Sequence, residues 1–493
     1  MIKKASTFDF QNTYADNLNG LYKECIADPV PSPKMLLFNY DLAEELELDP
    51  FIFSSDYGLS IFSGNKIPEG STPIAQAYAG HQFGNFNPYL GDGRALLLGE
   101  IVDIHKQLKD IQLKGSGITP FSRRGDGKSA LGPVLREYLI SESMHAMGIP
   151  TTRSLAAIDS GENVLRETSL PGGILTRVAS SHIRIGTFEY ASKLEDKDQI
   201  KKLADYSIAR HYPDTAKVEN SYLAFFAGIC NEQASLIANW MSVGFIHGVM
   251  NTDNMTISGE TIDYGPCAFM DEYHPATVFS SIDKQGRYAY ANQPAILTWN
   301  LTRLAETLIP LVHDEKEESI KLLTEVLQLI KPVYENFWLM NMRSKIGLSK
   351  EDPKDYELIN NFLEIMKDEK TDFTLAFRSL SKALTGDMAV ARNLFNNSKK
   401  FDVWFMHWQE RVSQENVPDE DIVSAMNKIN PIYIPRNHKV EEALFSAVHK
   451  NDMEPFSNLL SILINPYEEN EGNESYALPS PNPEIPFKTF CGT

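Results

Sequence analysis

Between His247 and Gly265 the chain reads His-Gly-Val-Met-Asn-Thr-Asp-Asn, then Met-Thr-Ile-Ser-Gly-Glu-Thr-Ile, then Asp-Tyr-Gly. Asp253, Asn254 and Asp263 offer hard oxygen donors, the kind Mg²⁺ takes when it shares its coordination with phosphates and water. The spacing predicts a loop supplying Asp253 and Asn254, a short hairpin turning near Gly259, and Asp263 at the end of the return strand. Turn chemistry is the competing reading, because Asp, Asn and Gly are common loop formers. The order of the two motifs favours metal and phosphate chemistry.

A protein-kinase catalytic loop sets its base Asp two residues after the His and its metal Asn five residues after that Asp. Asn254 keeps this register, but Val249 stands at the base position. A valine cannot accept a proton. Asp253 is the nearby carboxylate in the loop, so ordinary transfer of a terminal phosphate is lost or altered.

Phosphate chemistry also needs cations and close backbone approach. Gly91, Gly93 and Arg94 precede an apolar run and suit a nucleotide loop, although Gly-Asp-Gly is equally a tight hairpin turn. Lys114 closes the alternating segment Ile111-Gln112-Leu113-Lys114, a half-buried strand by its period. It fits a phosphate-contacting lysine or a solvated one. The run Ser-Arg-Arg-Gly-Asp-Gly-Lys at 122–128 is a second cradle, with Asp126 and Gly127 at its turn. Glu137 then falls on a helix expected over 133–147, either as ion-pair partner of Lys114 or as an exposed helix carboxylate or intrahelical partner of Arg136. Arg177 and Arg184 bracket the end of a strand beginning near Gly172. Their guanidinium forks suit polyphosphate or, alternatively, capping carboxylates.

The elements that must hold these residues are legible in part. A small helix is expected over 42–48, and a long one over 219–243, ended by Gly244 and leading straight into Phe245-Ile246-His247. His247 itself reads as a structural hydrogen-bonding residue. Further helices are expected over 295–312, 317–338, 356–366 and 440–464. Four units follow: an extension (1–70) packed on the core, an αβ nucleotide-binding lobe (71–185), a mainly helical lobe carrying the loop and metal site (186–465), and a tail (466–493) with Cys491.

The chain has 493 residues, 42% of them hydrophobic and 23% charged, which is ordinary globular material. A formal charge of −20 argues against a nucleic-acid partner. Four scattered cysteines argue against a disulfide scaffold. The N-terminus lacks a signal-like apolar core, and no apolar run has membrane-spanning length, so a cytoplasmic protein without membrane contact is expected. A monomer is expected.

Taken together, Tyr78–Arg94, Gln112–Gly127, Leu175–Arg184 and His247–Gly265 resemble the selenoprotein O family, also called YdiU, and the resemblance covers nearly the whole chain. It implies an α+β, protein-kinase-like two-lobe fold with an N-terminal extension and a large helical C-terminal lobe. It implies a pseudokinase that transfers AMP from ATP, or UMP from UTP, to Ser, Thr or Tyr hydroxyls of proteins and releases pyrophosphate. By the same resemblance, Asp253 is the proton acceptor, and Asn254 and Asp263 hold Mg²⁺ or Mn²⁺. Lys114 and Glu137 are the ion pair, and Arg177 and Arg184 are phosphate contacts. Gly91, Gly93, Arg94, Asp126 and Gly127 are nucleotide contacts, and Asp263 touches the nucleotide as well. The family's nucleotide lies flipped relative to a kinase's, presenting its α-phosphate. A kinase-like γ-phosphotransferase and a non-catalytic nucleotide-binding scaffold remain the alternatives. Family members also suggest a redox bridge from the tail. Here Thr277–Ser280 has no cysteine, Cys267 adjoins the metal motif, and a free thiol at Cys491 is the alternative.

Overall fold

The computed structural model describes residues 7–196, 198–482 and 487–489. Cys491 lies outside them. The sheet is antiparallel in every pairing and is built from β1 (Tyr22–Glu24), β2 (Lys34–Phe38), β3 (Ile74–Gln76), β6 (Ala95–Val102), β7 (Leu108–Lys114), β8 (Ser129–Ala130), β9 (Arg153–Leu165) and β10 (Ser169–Ala179). A separate hairpin joins β4 (Gly80–Gln82) to β5 (Asn85–Asn87). The strand order is β1-β3-β6-β7-β10-β9-β2, with β8 paired to β10. The first seventy residues therefore supply both edge strands, β1 against β3 and β2 against β9.

β7 sits mid-sheet, so both of its faces are covered: Ile111, Gln112 and Leu113 are all buried. Ile111 and Leu113 pack with Phe53, Ile61 and Phe62 of the N-terminal helices in one apolar cluster. Across the other face lies the helix Leu131–Ala146, whose Leu135 and Leu139 join the larger core. That helix starts two residues before the expected position. Lys114 and Glu137 thus project into the layer between sheet and helix.

After β10 the regular structure is mostly helical, apart from the stretch between Ser242 and Gln293, which holds the short antiparallel pair Phe245–Ile246 and Ala268–Phe269 and otherwise turns and loops. The helix Ser221–Ser242 is close to its expected span, and Gly244, with φ +71, turns the chain out of it. Only a residue without a Cβ adopts that conformation at little cost. Several expectations need correction. The segment expected as one helix over 440–464 is two, Asn437–Lys450 and Glu454–Leu463, separated at Asn451, which is left-handed. The helix Lys316–Lys345 runs well past its expected end, carrying Pro332 inside it. Helices Asp198–His211, Phe373–Leu384, Ser398–Ser413 and Asp419–Ile429 were not anticipated. The expected hairpin at Gly259 has no backbone ladder. Thr256 and Thr261 pair instead with Arg184 and Thr151, and the turn is closed by Thr256 Oγ1, which donates to the Glu260 carbonyl at 2.8 Å. Among the described residues, no helix is long and apolar enough to cross a membrane.

Lys345, at the end of the helix Lys316–Lys345, is 2% exposed and lies over the Phe377 ring at 4.5 Å, and no carboxylate pairs with it among the described residues. Burial pushes its ammonium down to about 7. An unfolded chain binds this proton from about pH 10 downward, so between there and 7 unfolding takes up a proton and stability rises with pH. Urea unfolding should therefore show Lys345→Met more stable than wild type at pH 7, with the difference shrinking toward pH 10. A gap independent of pH would mean the lysine is charged in the folded protein.

Candidate active site

One carboxylate gathers three cations. Asp263 Oδ1 accepts from Lys114 Nζ at 2.7 Å and from Arg177 Nη2 at 2.7 Å, and Oδ2 accepts from Arg184 Nη1 at 2.6 Å. Glu137 takes the other side of the cluster, accepting from Lys114 Nζ at 2.7 Å and Arg177 Nε at 2.9 Å. Burial opposes charge on both carboxyls, but Arg177 and Lys114 hold Glu137 below the usual range, and Lys114, Arg177 and Arg184 hold Asp263 well below it. The Arg136 alternative is excluded, since Arg136 reaches Glu441 and the Cys267 carbonyl instead. Arg177 and Arg184 are buried, whereas the Asp263 side chain keeps 22% of its surface exposed. The cluster is open on the aspartate side.

Asp263 has φ +64, an uncommon conformation for a residue with a Cβ. Its neighbours hold it there. His247 Nε2 bonds the Ile262 carbonyl at 2.9 Å, and the His247 ring stacks on Trp240. On the other flank, the Tyr264 hydroxyl bonds Thr151 Oγ1. His247 is thus a prop, as its sequence context suggested.

Asp253 and Asn254 sit in a short turn, Thr252–Asn254. Asn254 donates its Nδ2 to the Val249 carbonyl at 2.9 Å, leaving its amide oxygen for another ligand. Asp253 is buried; Oδ2 accepts from Gln82 Nε2 at 3.2 Å, while Oδ1 has no partner among the described residues. Burial pushes its carboxyl up to about 6 despite Arg184. A buried acceptor left unbonded is costly, so this atom is suited to a proton donor or cation brought by a ligand.

The glycine segments meet each other. Gly91, with φ +69, lies against the Phe121 ring where a Cβ would collide, and Ser122 Oγ donates to the Gly93 carbonyl at 2.5 Å. Gly127, with φ +66, backs directly onto the Gly117 backbone. Asp126 is partly exposed and paired with Arg166 at 2.8 Å, a partner that sequence reasoning missed. All twelve anticipated residues, Gly91, Gly93, Arg94, Lys114, Asp126, Gly127, Glu137, Arg177, Arg184, Asp253, Asn254 and Asp263, line one cleft of about 1500 Å³.

The supporting residues were not foreseen. Glu189 accepts from Thr252 Oγ1 at 2.5 Å and bonds His81 Nδ1, and the His81 backbone N–H donates to Thr252 Oγ1 at 2.7 Å. Tyr78 lies under the Arg184 guanidinium at 4.7 Å. These pairs are separated by up to 171 positions, and no local pattern announces them. Cys267 is buried, with its thiol pushed up to about 12 by burial, so it is not a reactive thiolate. Thr489 pairs with Ser280.

The profile described as "Protein adenylyltransferase SelO" matches residues 4–464. Curated relatives named "Protein nucleotidyltransferase YdiU" match along their full lengths. The one from Agrobacterium fabrum is 52% identical over 484 residues, covering 98% of this chain and 99% of the relative. One from Cereibacter sphaeroides is 53% identical over 489 residues (99% and 100%), and one from Anoxybacillus flavithermus 50% over 488 (99% and 100%). Such likeness over whole chains sets the class as a nucleotidyltransferase enzyme. The chain belongs to the SelO family.

An anion drawn to Lys114, Arg177 and Arg184 would have to displace Asp263, which accepts from all three. In chelator-treated, metal-free solution, calorimetry should find inorganic triphosphate bound about tenfold more tightly by Asp263→Asn than by wild type. Unchanged affinity would place the phosphates elsewhere.

Proposed function

We propose that the protein transfers AMP from ATP to Ser, Thr or Tyr hydroxyls of other proteins, with pyrophosphate leaving. The observation that carries this reading is the cleft itself: three cations held on one carboxylate, beside a buried aspartate with an unbonded oxygen and no carboxylate at position 249. The antiparallel sheet bearing Lys114, the helix bearing Glu137 and the helical body behind them support a kinase-like, two-lobe arrangement, with residues 71–185 and 186–465 as the lobes, 1–70 as the extension and 466–493 as the tail.

The donor set fits a divalent cation. Asn254 has an amide oxygen without a partner among the described residues and Asp263 an ionised carboxylate, both of the hard type that Mg²⁺ or Mn²⁺ accepts. When bound, the ion would neutralise phosphate charge. Lys114, Arg177 and Arg184 turn from Asp263 to the phosphates and offset the charge that builds up on the departing pyrophosphate. Glu137 keeps Lys114 and Arg177 aimed during that exchange. Asp253 Oδ1 accepts the proton of the acceptor hydroxyl, whose oxygen forms the new bond to the α-phosphorus as the bond to the β-phosphate oxygen breaks. Gln82 holds the other carboxylate oxygen in place.

ATP labelled at the α-phosphate should label acceptor proteins, while γ-labelled ATP should not; γ transfer would make the protein a phosphotransferase. UTP in the same assay reads UMP transfer. A general base acts only when ionised, and burial pushes the Asp253 carboxyl above the usual carboxylate range, so transfer should rise with pH along an acid limb set by this group. Asp253→Asn should lose at least a hundredfold of the rate, in the usual range for a removed general base. Asp263→Asn should abolish metal-dependent transfer, and retained activity in either variant contradicts its assigned role.

A further inference from the structure

The β4–β5 hairpin presents two faces. Its inner face is bonded to the catalytic turn: His81 N to Thr252 Oγ1, Gln82 Nε2 to Asp253 Oδ2, and Phe83 N to Asn251 Oδ1 at 3.0 Å. Gly80 lies so close that a Cβ there would stand 2.5 Å from Asp253 Oδ1. The outer face is a small cationic and aromatic surface. Phe86 is 38% exposed, with Lys193 Nζ 5.7 Å from its ring centroid. The His81 ring packs on both Phe86 and Trp299, and the guanidinium groups of Arg287 and Arg303 lie over Trp299 at 4.7 and 5.2 Å.

This surface is under-neutralised. Arg303 pairs with Glu306, but no ion pair engages Lys193 or Arg287 among the described residues. Asp283, four residues from Arg287, is buried and accepts from the backbone N–H groups of Arg287 and Tyr288. Glu189 is buried beneath His81 and bonded to it. In a chain of net charge −20, a positive, aromatic-faced patch attached to the catalytic turn is a local exception. The cleft wall also runs toward it, through Gln82 and Phe83, with the Phe83 ring packed on Tyr288.

We infer that the outer face of this hairpin, together with Lys193, Arg287 and Trp299, docks the acceptor, and that it fits a polypeptide segment with acidic residues flanking the hydroxyl to be modified. This rests on the acceptor being a protein hydroxyl, as proposed above. Carboxylates of the segment meet Lys193 and Arg287, its apolar atoms lie on Phe86 and Trp299, and its hydroxyl reaches the unbonded Asp253 Oδ1. In a chain of net charge −20, an acidic segment gains where positive charge is exposed, and Lys193 and Arg287 supply it beside the catalytic turn.

The test uses the full-length protein, α-labelled ATP and three serine peptides identical except for Glu, Ala or Lys beside the serine. The Glu peptide should have a KM about tenfold below that of the Ala peptide. Lys193→Glu combined with Arg287→Glu should erase that advantage and favour the Lys peptide, while kcat and the KM for ATP stay unchanged. The inference is overturned if flanking charge leaves KM unaltered, if the double variant lowers kcat for all three peptides alike, or if folded proteins are labelled and none of the peptides is. Transfer of γ-label in place of α-label is a separate result, which defeats the proposed reaction itself.

Discussion

The structure depends on the charge held at Asp263. Lys114 comes from a central strand, Arg177 from the neighbouring strand β10, Arg184 from the start of the next helix, and Glu137 from the helix laid across the sheet. Four side chains from four elements meet over one carboxylate. Removing one partner from such a buried set leaves an uncompensated charge, at a cost of about 3–5 kcal/mol. The arrangement therefore forces the strands, the helix and the Asp263 segment into one register. It also concentrates positive charge beside an opening of about 1500 Å³.

Much of the remaining architecture supports that cluster. The N-terminal seventy residues add the outermost strand at each end of the sheet, pairing with β3 and β9, while β6 and β10 flank β7 and keep it in the interior. Trp240 and His247 carry support from the long helix to the backbone at Ile262. Glu189, itself buried and with its carboxyl pushed up to about 7 by burial, ties the Thr252 turn to the β4–β5 hairpin. Asp253 is thereby fixed from both sides while one of its oxygens is kept free.

Most residues of the cleft are legible in the sequence because they carry a local mark: a lysine ending an alternating strand, glycines before an apolar run, an Asp-Asn pair after a helix stop. Glu137 is reached only through the expected pairing with Lys114. The supporting residues carry no such mark. His81, Glu189 and Tyr78 act through partners far away in sequence, and a buried glutamate within a short helix reads like any surface carboxylate. The Gly259 turn was misread as a ladder hairpin because its composition suits one. Its two arms are bonded to Arg184 and Thr151 instead, and those contacts are tertiary. The break at Asn451 was missed for a related reason, since the apolar spacing continues across a single left-handed residue.

Membership of the SelO family and the geometry of the cleft point the same way, toward nucleotide chemistry driven by charge placement more than by a reactive side chain. The most direct measurement is a crystal structure with Mg²⁺ and a non-hydrolysable ATP analogue. The account predicts phosphate oxygens on Lys114, Arg177 and Arg184, with the Asp263 carboxylate turned from those cations to the ion. Phosphates bound elsewhere in the cleft, with Asp263 still held by its three cations, would contradict it.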